Sequence, residues 1–252
     1  MAKLVVLFCI YSFLGWLWES FYCIIKEGKW ESRGFLFGPI CPIYGFGAII
    51  VSFAIRNINF LDMQSKYYNI KIFFFACIGT ALMEYVTSFV LEKCFHAVWW
   101  DYSKVPLNIN GRISLPTTFG FGLAGVILPK ILIFPIEDKI NLLSNNFYDP
   151  IAFFIIGLIG ADIALTISTL TDLNKRVVEF DAKFNEKMSN TVDTVKEKGV
   201  IIKEKVIDSN IEKFLNSKDF LYKNTLRRVK YFKIKNKDKQ GILDKIKNFS
   251  KK

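Results

Sequence analysis

"LVVLFCIYSFLGWLWESFYCII", residues 4–25, decides the fold class of this chain. The stretch is long enough to cross a bilayer, since a membrane-spanning helix needs about 20 mostly apolar residues. It extends beyond the short apolar core of a secretory signal and lacks a small-residue cleavage site, so we expect it to stay in the mature protein. One acidic residue, Glu19, interrupts the apolar run.

The same apolar character continues well beyond this first segment. Of the 252 residues, 52% are hydrophobic and 16% are aromatic, which is too much apolar surface for a basic soluble domain. The second apolar segment contains Pro39, Pro42 and four glycines, so its first half should be broken or re-entrant. We therefore predict an all-α polytopic membrane protein with about five transmembrane helices, at roughly 4–25, 35–55, 70–91, 115–136 and 151–170.

The charges divide the chain into a membrane part and a basic tail. Residues 1–170 contain 12 Lys and Arg against 11 Asp and Glu, whereas residues 171–252 contain 22 against 12. We predict a transmembrane domain over 1–170, a long amphipathic helix over 171–228 because apolar residues recur every eleven positions, and a basic tail over 229–252. The lysines of the amphipathic helix either contact anionic lipid headgroups or cover a helix that packs on itself or on a second copy.

The distribution of Lys and Arg also predicts the orientation in the membrane. The tail should be cytoplasmic, and loops 26–33 and 92–114 are at least as basic as loops 56–71 and 137–150. Five spans then place the N-terminus outside. If the second segment is only re-entrant, the count becomes four and the N-terminus lies inside.

Three predicted spans carry an ionisable residue, and such residues are costly inside a membrane. Glu19, Glu84 and Asp162 each lie six to eight residues before the end of their span, so we expect them to form one layer near the cytoplasmic boundary. Arg33 and Arg112 begin the second and fourth segments and are the nearest permanent cations. Polar contact between helices, without a functional site, is the structural alternative.

The loop between the third and fourth spans is rich in aromatic and polar groups. Trp99, Trp100 and Tyr102 suit the lipid headgroup level, and from there Asp101 and Arg112 could reach the carboxylates, as could the single histidine of the chain, His96. A simple aromatic belt would explain the two tryptophans but not the clustered polar groups. We therefore favour a site here over a belt alone.

Four ordered motifs resemble a bacterial family of type IV ABC-transporter membrane proteins, also described as permeases. They are "YSFLGWLWES" (11–20), "RGFLFGPICPIYGFGA" (33–48), "MEYVTSFVLEKCF" (83–95) and "WWDYSKVPLNINGRISL" (99–115). The resemblance covers about residues 4–170. It implies a transport role, and it implies shared positions at Gly15, Trp16, Glu19, Arg33, Gly34, Gly38, Pro39, Pro42, Tyr44, Gly45, Glu84, Tyr85, Glu92, Trp99, Trp100, Asp101, Tyr102, Asn108, Gly111 and Arg112.

The function classes differ in the partners that they require. The chain has no G-x-x-x-x-G-K-[ST] motif, so a permease subunit in the bacterial cell membrane would need a separate ATPase and, with few spans, a homodimer. A membrane-embedded enzyme is the first alternative, although no H-E-x-x-H or G-x-S-x-G motif is present. A scaffold or regulator acting through the basic tail is the second. We expect no cofactor, no metal, no catalytic residue and no nucleic-acid partner, and we interpret the five cysteines as small buried apolar residues.

Overall fold

A computed structural model describes most of the predicted membrane domain and part of the tail. The described residues are 1–28, 33–58, 61, 64–142, 144–192, 224–225, 228–229 and 231–232. Their secondary structure is almost entirely helical, which confirms the predicted all-α class. The helices are α1 (Ala2–Glu27), α2 (Pro42–Asn57), α3 (Tyr68–Phe95), α4 (Leu115–Leu128), α5 (Phe134–Leu142) and α6 (Asn145–Val192).

Four helical stretches of the described chain are long and apolar enough to cross a membrane. They are Ala2–Ile25, Tyr68–Phe95, Leu115–Leu142 and Phe147–Asp172. These four correspond to the first, third, fourth and fifth predicted spans. The second predicted span does not reach this length, because its helical part, α2, has only 16 residues.

The first half of the second segment is not helical, as we predicted from its prolines. Residues 33–41 are not helical, and α2 begins only at Pro42, where the missing N–H of proline costs no intrahelical hydrogen bond. The backbone N–H of Cys41 donates to the carbonyl of Ser12 on α1 at 2.9 Å, so the irregular part is held against the first helix. Segment two therefore consists of an irregular arm, residues 33–41, followed by a short helix.

A π-helical segment joins α4 to α5. Pro129 lies inside the apolar run and cannot donate a backbone hydrogen bond. Residues Pro129–Ile133 form a π-helical turn, in which the N–H of Phe134 donates to the carbonyl of Pro129. The chain thus stays helical through the proline from Leu115 to Leu142.

Two buried apolar clusters show how the helices are directed. The first contains Leu7 and Tyr11 of α1 and Tyr148 of α6, together with Ile133 and Ile140 near α5. The second joins the end of α2, through Ala54 and Ile55, to Leu61 and to the start of α3, through Tyr68 and Ile72. The beginnings of α1, α3 and α6 therefore lie at the same end as the last turns of α2 and α5. Hence α1, α3 and α6 run in one direction, and α2 and α4–α5 run in the other.

The described chain divides into two compact units. The helix arrangement above belongs to the unit formed by 1–90 and 100–164. The other unit contains 91–99 and the residues from 165 onward. In it, strand β1 (Ala97–Val98) pairs in antiparallel fashion with strand β4 (Tyr231–Phe232), with Ala97 opposite Phe232.

The predicted tail is described only in part. Helix α6 continues past the last span to Val192, so the beginning of the predicted amphipathic helix is helical. Most of the remaining part of the 171–228 prediction, and nearly all of the predicted basic tail 229–252, falls outside the described residues. The cysteines are free, and Cys94 is exposed, contrary to our expectation of burial.

Candidate functional site

The first carboxylate of the site is Glu19 on α1. Its Oε1 accepts a hydrogen bond from the phenol of Tyr44 on α2. The two helices approach closely here because Gly15 has no side chain, and a Cβ at that position would collide with the ring of Tyr44. The sequence thus places a small residue one turn before the acid, and this lets the phenol reach it.

The second carboxylate, Glu84, is buried in α3 with 7% of its surface exposed. Its Oε1 accepts a hydrogen bond from the phenol of Tyr102 at 3.2 Å. Its Oε2 is enclosed, and no described residue donates a hydrogen bond to it. Burial, and then the adjacent Glu84 carboxylate, raise the pKa of the Tyr102 phenol well above its ordinary value, so this phenol stays a neutral donor.

The two carboxylates belong to one cluster. After burial and the charge of Glu84, the charge of Glu19 also raises the pKa of the Tyr102 phenol, which relates the two carboxylates through this residue. We name Glu19, Tyr44, Glu84 and Tyr102 the carboxylate–phenol cluster. Among the side chains that the structure describes, neither carboxylate forms an ion pair with a basic group. Each acid is therefore bound by one phenol.

Arg112 has different partners from those we expected. Its guanidinium donates to the hydroxyl of Ser88 at 3.4 Å and lies over the rings of Tyr85 and Phe89, at 5.6 and 5.4 Å from their centroids. Among the described interactions, Glu84 forms no ion pair with Arg112 or with Arg33, the two cations that the sequence offered as its nearest partners. Instead, the guanidinium of Arg112 lies over two aromatic rings of α3.

A tight hairpin brings Tyr102 back to α3. Strands β2 (Asn108–Ile109) and β3 (Ile113–Ser114) are joined by Asn110, Gly111 and Arg112, and φ is positive at Asn110 (53°) and Gly111 (67°). The N–H of Arg112 donates to the carbonyl of Ile109 at 3.0 Å, so Asn110 and Gly111 are the central residues of a β-turn, a place where Asn-Gly favours positive φ at both positions. The N–H of Tyr102 then donates to the carbonyl of Gly111 at 2.8 Å, which fixes the phenol next to the hairpin.

The remaining polar groups of this loop mainly build the loop itself. The carboxylate of Asp101 accepts from the N–H of Ser103, the side chain of Asn108 bonds to Ser103, Val105 and Gly111, and the indole of Trp100 donates to the carbonyl of Arg112. His96 is exposed, and its backbone ends α3 by donating to the carbonyl of Glu92. Among the described interactions, Asp101 has no contact with the two glutamates, and the reach that we predicted for His96 stays a prediction. The hydrogen bonds that hold this loop together therefore explain much of its richness in polar and aromatic residues.

Asp162 on α6 binds the irregular arm. Its two carboxylate oxygens accept the N–H groups of Phe37 and Gly38, at 2.9 and 2.7 Å. A Cβ on Gly38 would lie 2.9 Å from the same carboxylate, so glycine is required for this approach. The carbonyl of Arg33 accepts the thiol of Cys41, and Trp99 packs edge-on against Phe95.

A second polar cluster lies at the other end of these helices, and the sequence analysis missed it. Glu137 on α5 accepts hydrogen bonds from Ser52, at 2.5 Å, and from Arg56, at 2.7 Å, both on α2. Arg56 also lies over the ring of Phe134 at 4.9 Å. The sequence did contain one signal for this contact. Loops 56–71 and 137–150 were predicted on the same side of the membrane, and their first residues, Arg56 and Glu137, have opposite charges.

The described residues hold no group of three or more His, Cys, Asp or Glu side chains that could bind a metal ion. The carboxylate–phenol cluster itself offers hydrogen bonding and proton exchange. Tyr44 and Tyr102 are donors, and Glu19 and Glu84 are acceptors or acids.

The comparisons with known proteins agree with the membrane architecture. No curated protein and no solved structure matches the chain. A family model described as "Putative ABC-transporter type IV" matches residues 6–167, which include most of α1, all of α2 to α5 and the first part of α6. Because the match covers more than half of the chain, this protein belongs to that type IV ABC-transporter family of membrane proteins.

Proposed function

We propose that this chain is the permease subunit of an ABC transporter and that the carboxylate–phenol cluster lies on its transport path. The observation that carries the proposal is that two candidate membrane helices each hold a carboxylate bound by a phenol, Glu19 by Tyr44 and Glu84 by Tyr102. Acidic residues in such helices are costly, and they mark ion or substrate pathways.

Asp162 extends this acidic region in the proposal. Glu19, Glu84 and Asp162 lie toward the C-terminal ends of three candidate membrane helices, and α1, α3 and α6 run in the same direction. This arrangement supports a layer of carboxylates at one end of the helices. The irregular arm borders the layer, because Phe37 and Gly38 bind Asp162.

The directions of the helices support five crossings rather than four. Since α1 and α3 run the same way, the chain between them must return to the starting side. We propose that residues 33–57 make this return as a fifth crossing, with the irregular arm completing what the 16-residue helix α2 cannot span alone. The N-terminus would then lie outside, and loop 96–114 and the tail would lie in the cytoplasm.

A separate ATPase must supply the energy in this proposal, because the sequence has no P-loop motif. Loop 100–114 is a suitable docking surface, since its hairpin and internal hydrogen bonds make it a defined structure. We propose that the complex contains two copies of this chain. We also propose that the basic tail contacts anionic lipid headgroups.

Copurification tests the permease assignment. The full chain would be tagged, purified from its native membrane in a mild detergent and analysed for partners and for ATPase activity. We expect an ATPase subunit to copurify and to hydrolyse ATP. If repeated preparations contain intact protein and no ATPase, the permease proposal is wrong.

Two variants connect this activity to the cluster. We expect Glu84→Gln to keep the ATPase bound but to change its hydrolysis rate by about tenfold or more, since it alters a buried group on the proposed path. Asp138→Asn is the matched control, because Asp138 is an exposed carboxylate in the family-matched region. Equal rates for both variants would separate the cluster from transport.

A further inference from the structure

We propose that the end of the helix bundle where α1, α3 and α6 begin binds the headgroups of anionic phospholipids. The ligand group is the lipid phosphate, and the binding groups are lysine side chains supported by tyrosine rings. This surface is separate from the carboxylate–phenol cluster, and the inference does not depend on the permease assignment.

Three lysines at this end each lie over a tyrosine ring, with 5.3 to 6.0 Å between the ammonium nitrogen and the ring centroid. We name these residues the lysine–tyrosine belt: Lys130 over Tyr68, Lys3 over Tyr148 and Lys66 over Tyr67. The face of a tyrosine ring attracts a cation, so each pair holds an ammonium at a defined place.

The belt lies at the boundary of the membrane-spanning helices. Lys3, Tyr68 and Tyr148 each occupy the first or second position of a candidate membrane helix. Aromatic and basic side chains are typical of the level at which such a helix enters the headgroup region. Lys130 belongs to the interior of the fourth candidate helix, but its ammonium lies over the ring of Tyr68 and so reaches the same level.

The lysines of the belt have charge available for a ligand. Among the described side chains, the ammonium of Lys130 donates to the neutral amide of Asn69 at 3.2 Å and forms no ion pair. An ammonium has three donors, so an anionic oxygen can bind Lys130 without displacing Asn69. Arg56 differs from the belt lysines, because its guanidinium is already paired with Glu137.

Exposed apolar side chains continue from the belt along two helices. Helix α3 exposes Ile70, Phe74 and Ile78, which recur every four residues, and Ile127 and Ile131 are exposed on either side of Lys130. Residues four apart lie on one face of a helix, so the side chains of α3 form an apolar row. A phospholipid has the same pattern, because its charged headgroup lies at the boundary and its apolar chains extend toward the bilayer centre.

Photocrosslinking at Ile131 tests the inference, since it reports only on lipid that contacts the position next to Lys130. The full-length chain with Ile131→p-benzoylphenylalanine would be reconstituted in vesicles with equal amounts of phosphatidylglycerol and phosphatidylcholine of the same acyl chains. Captured lipids would be identified by mass. We expect phosphatidylglycerol to be captured about fivefold more often than phosphatidylcholine. The same crosslinker at Leu82, an exposed residue in the middle of α3, should capture both lipids about equally.

Charge variants of Lys130 connect this preference to the belt. We expect Lys130→Gln to reduce the preference to about twofold or less, and Lys130→Arg to retain it because arginine keeps the positive charge. Lys139→Gln is the matched control, since Lys139 is an exposed lysine of α5 outside the belt, and it should also retain the preference. Capture at Leu82 in each variant shows that the protein is inserted.

Equal capture of the two lipids at Ile131 would overturn the inference, as would a preference that Lys130→Gln leaves unchanged. Capture at Leu82 without capture at Ile131 would also overturn it, because Ile131 would then not contact lipid. Inorganic phosphate, added at constant ionic strength, should leave the preference unchanged. Loss of the preference under that condition would assign the lysines to a soluble anion instead of a lipid.

Discussion

At the scale of single residues, Glu84 and Tyr102 account for the contact on which the site depends. Their separation of 18 positions is bridged by the end of α3 and the start of the loop, and the hairpin holds the phenol in place. The sequence indicated that Glu84 needed a polar partner in a low-dielectric setting. It did not indicate that this partner is a phenol rather than a guanidinium, because the identity of the partner depends on where the loop folds back.

A double-mutant cycle on the free energy of unfolding tests this pairing. Glu84→Met and Tyr102→Phe each remove one side of the hydrogen bond, so we expect a coupling energy of about 1 kcal/mol. For Glu84→Met with Arg112→Lys, we expect the two effects to add within about 0.5 kcal/mol. A larger coupling to Arg112 than to Tyr102 would restore the ion pair that we first expected.

At the scale of elements, α1 and α2 cross so closely that there is no room for a side chain at the glycine between them. A Cβ on Gly45 would collide with the hydroxyl of Ser12 and would lie 2.8 Å from Phe8. Gly47, two residues later on α2, has open space at its Cβ position. Gly45 and Gly47 are therefore a matched pair for substitution, because the first lies at a close helix contact and the second has open space.

We expect Gly45→Ala to destabilise the protein by about 1–3 kcal/mol, because the added methyl group has no room between the helices. Gly47→Ala should be neutral or stabilising by up to about 1 kcal/mol, since alanine is the better helix former. Thermal unfolding in mild detergent measures both effects. Similar midpoints for the two variants would contradict the packing described for α1 and α2.

Sequence reasoning was strongest where hydrophobic length decides the element. The four long apolar helices follow from that length, and the irregular arm follows from Pro39 and Pro42. It was weakest for contacts between distant segments. The bond from Ser52 to Glu137 and the ion pair from Arg56 to Glu137 depend on how α2 meets α5, and no local pattern encodes that meeting.

At the scale of the whole molecule, the main question is how many times the chain crosses the membrane. By length, the described part of the chain provides four helices that can span. By direction, α1 and α3 run the same way, and in our proposal segment two supplies the return between them. The two criteria would differ because an arm without helical structure adds to a crossing but not to a helix length.

Cysteine labelling in intact cells distinguishes the two topologies. In a background without the five native cysteines, we expect Ala2→Cys to react with a membrane-impermeant reagent, because five crossings place it outside. Lys104→Cys, in an exposed part of the loop, should be protected until the cells are opened. Protection of both positions would favour four crossings and place the N-terminus inside.

The pairing of β1 with β4 has a consequence for biosynthesis. Ala97–Val98 leaves the ribosome soon after α3, whereas Tyr231–Phe232 follows only after α4, α5 and α6 have been made. Strand β1 therefore has no β4 to pair with while α4, α5 and α6 are synthesised. Closure of this short ladder must follow the synthesis of these helices, so it can report that the chain has been translated through Phe232.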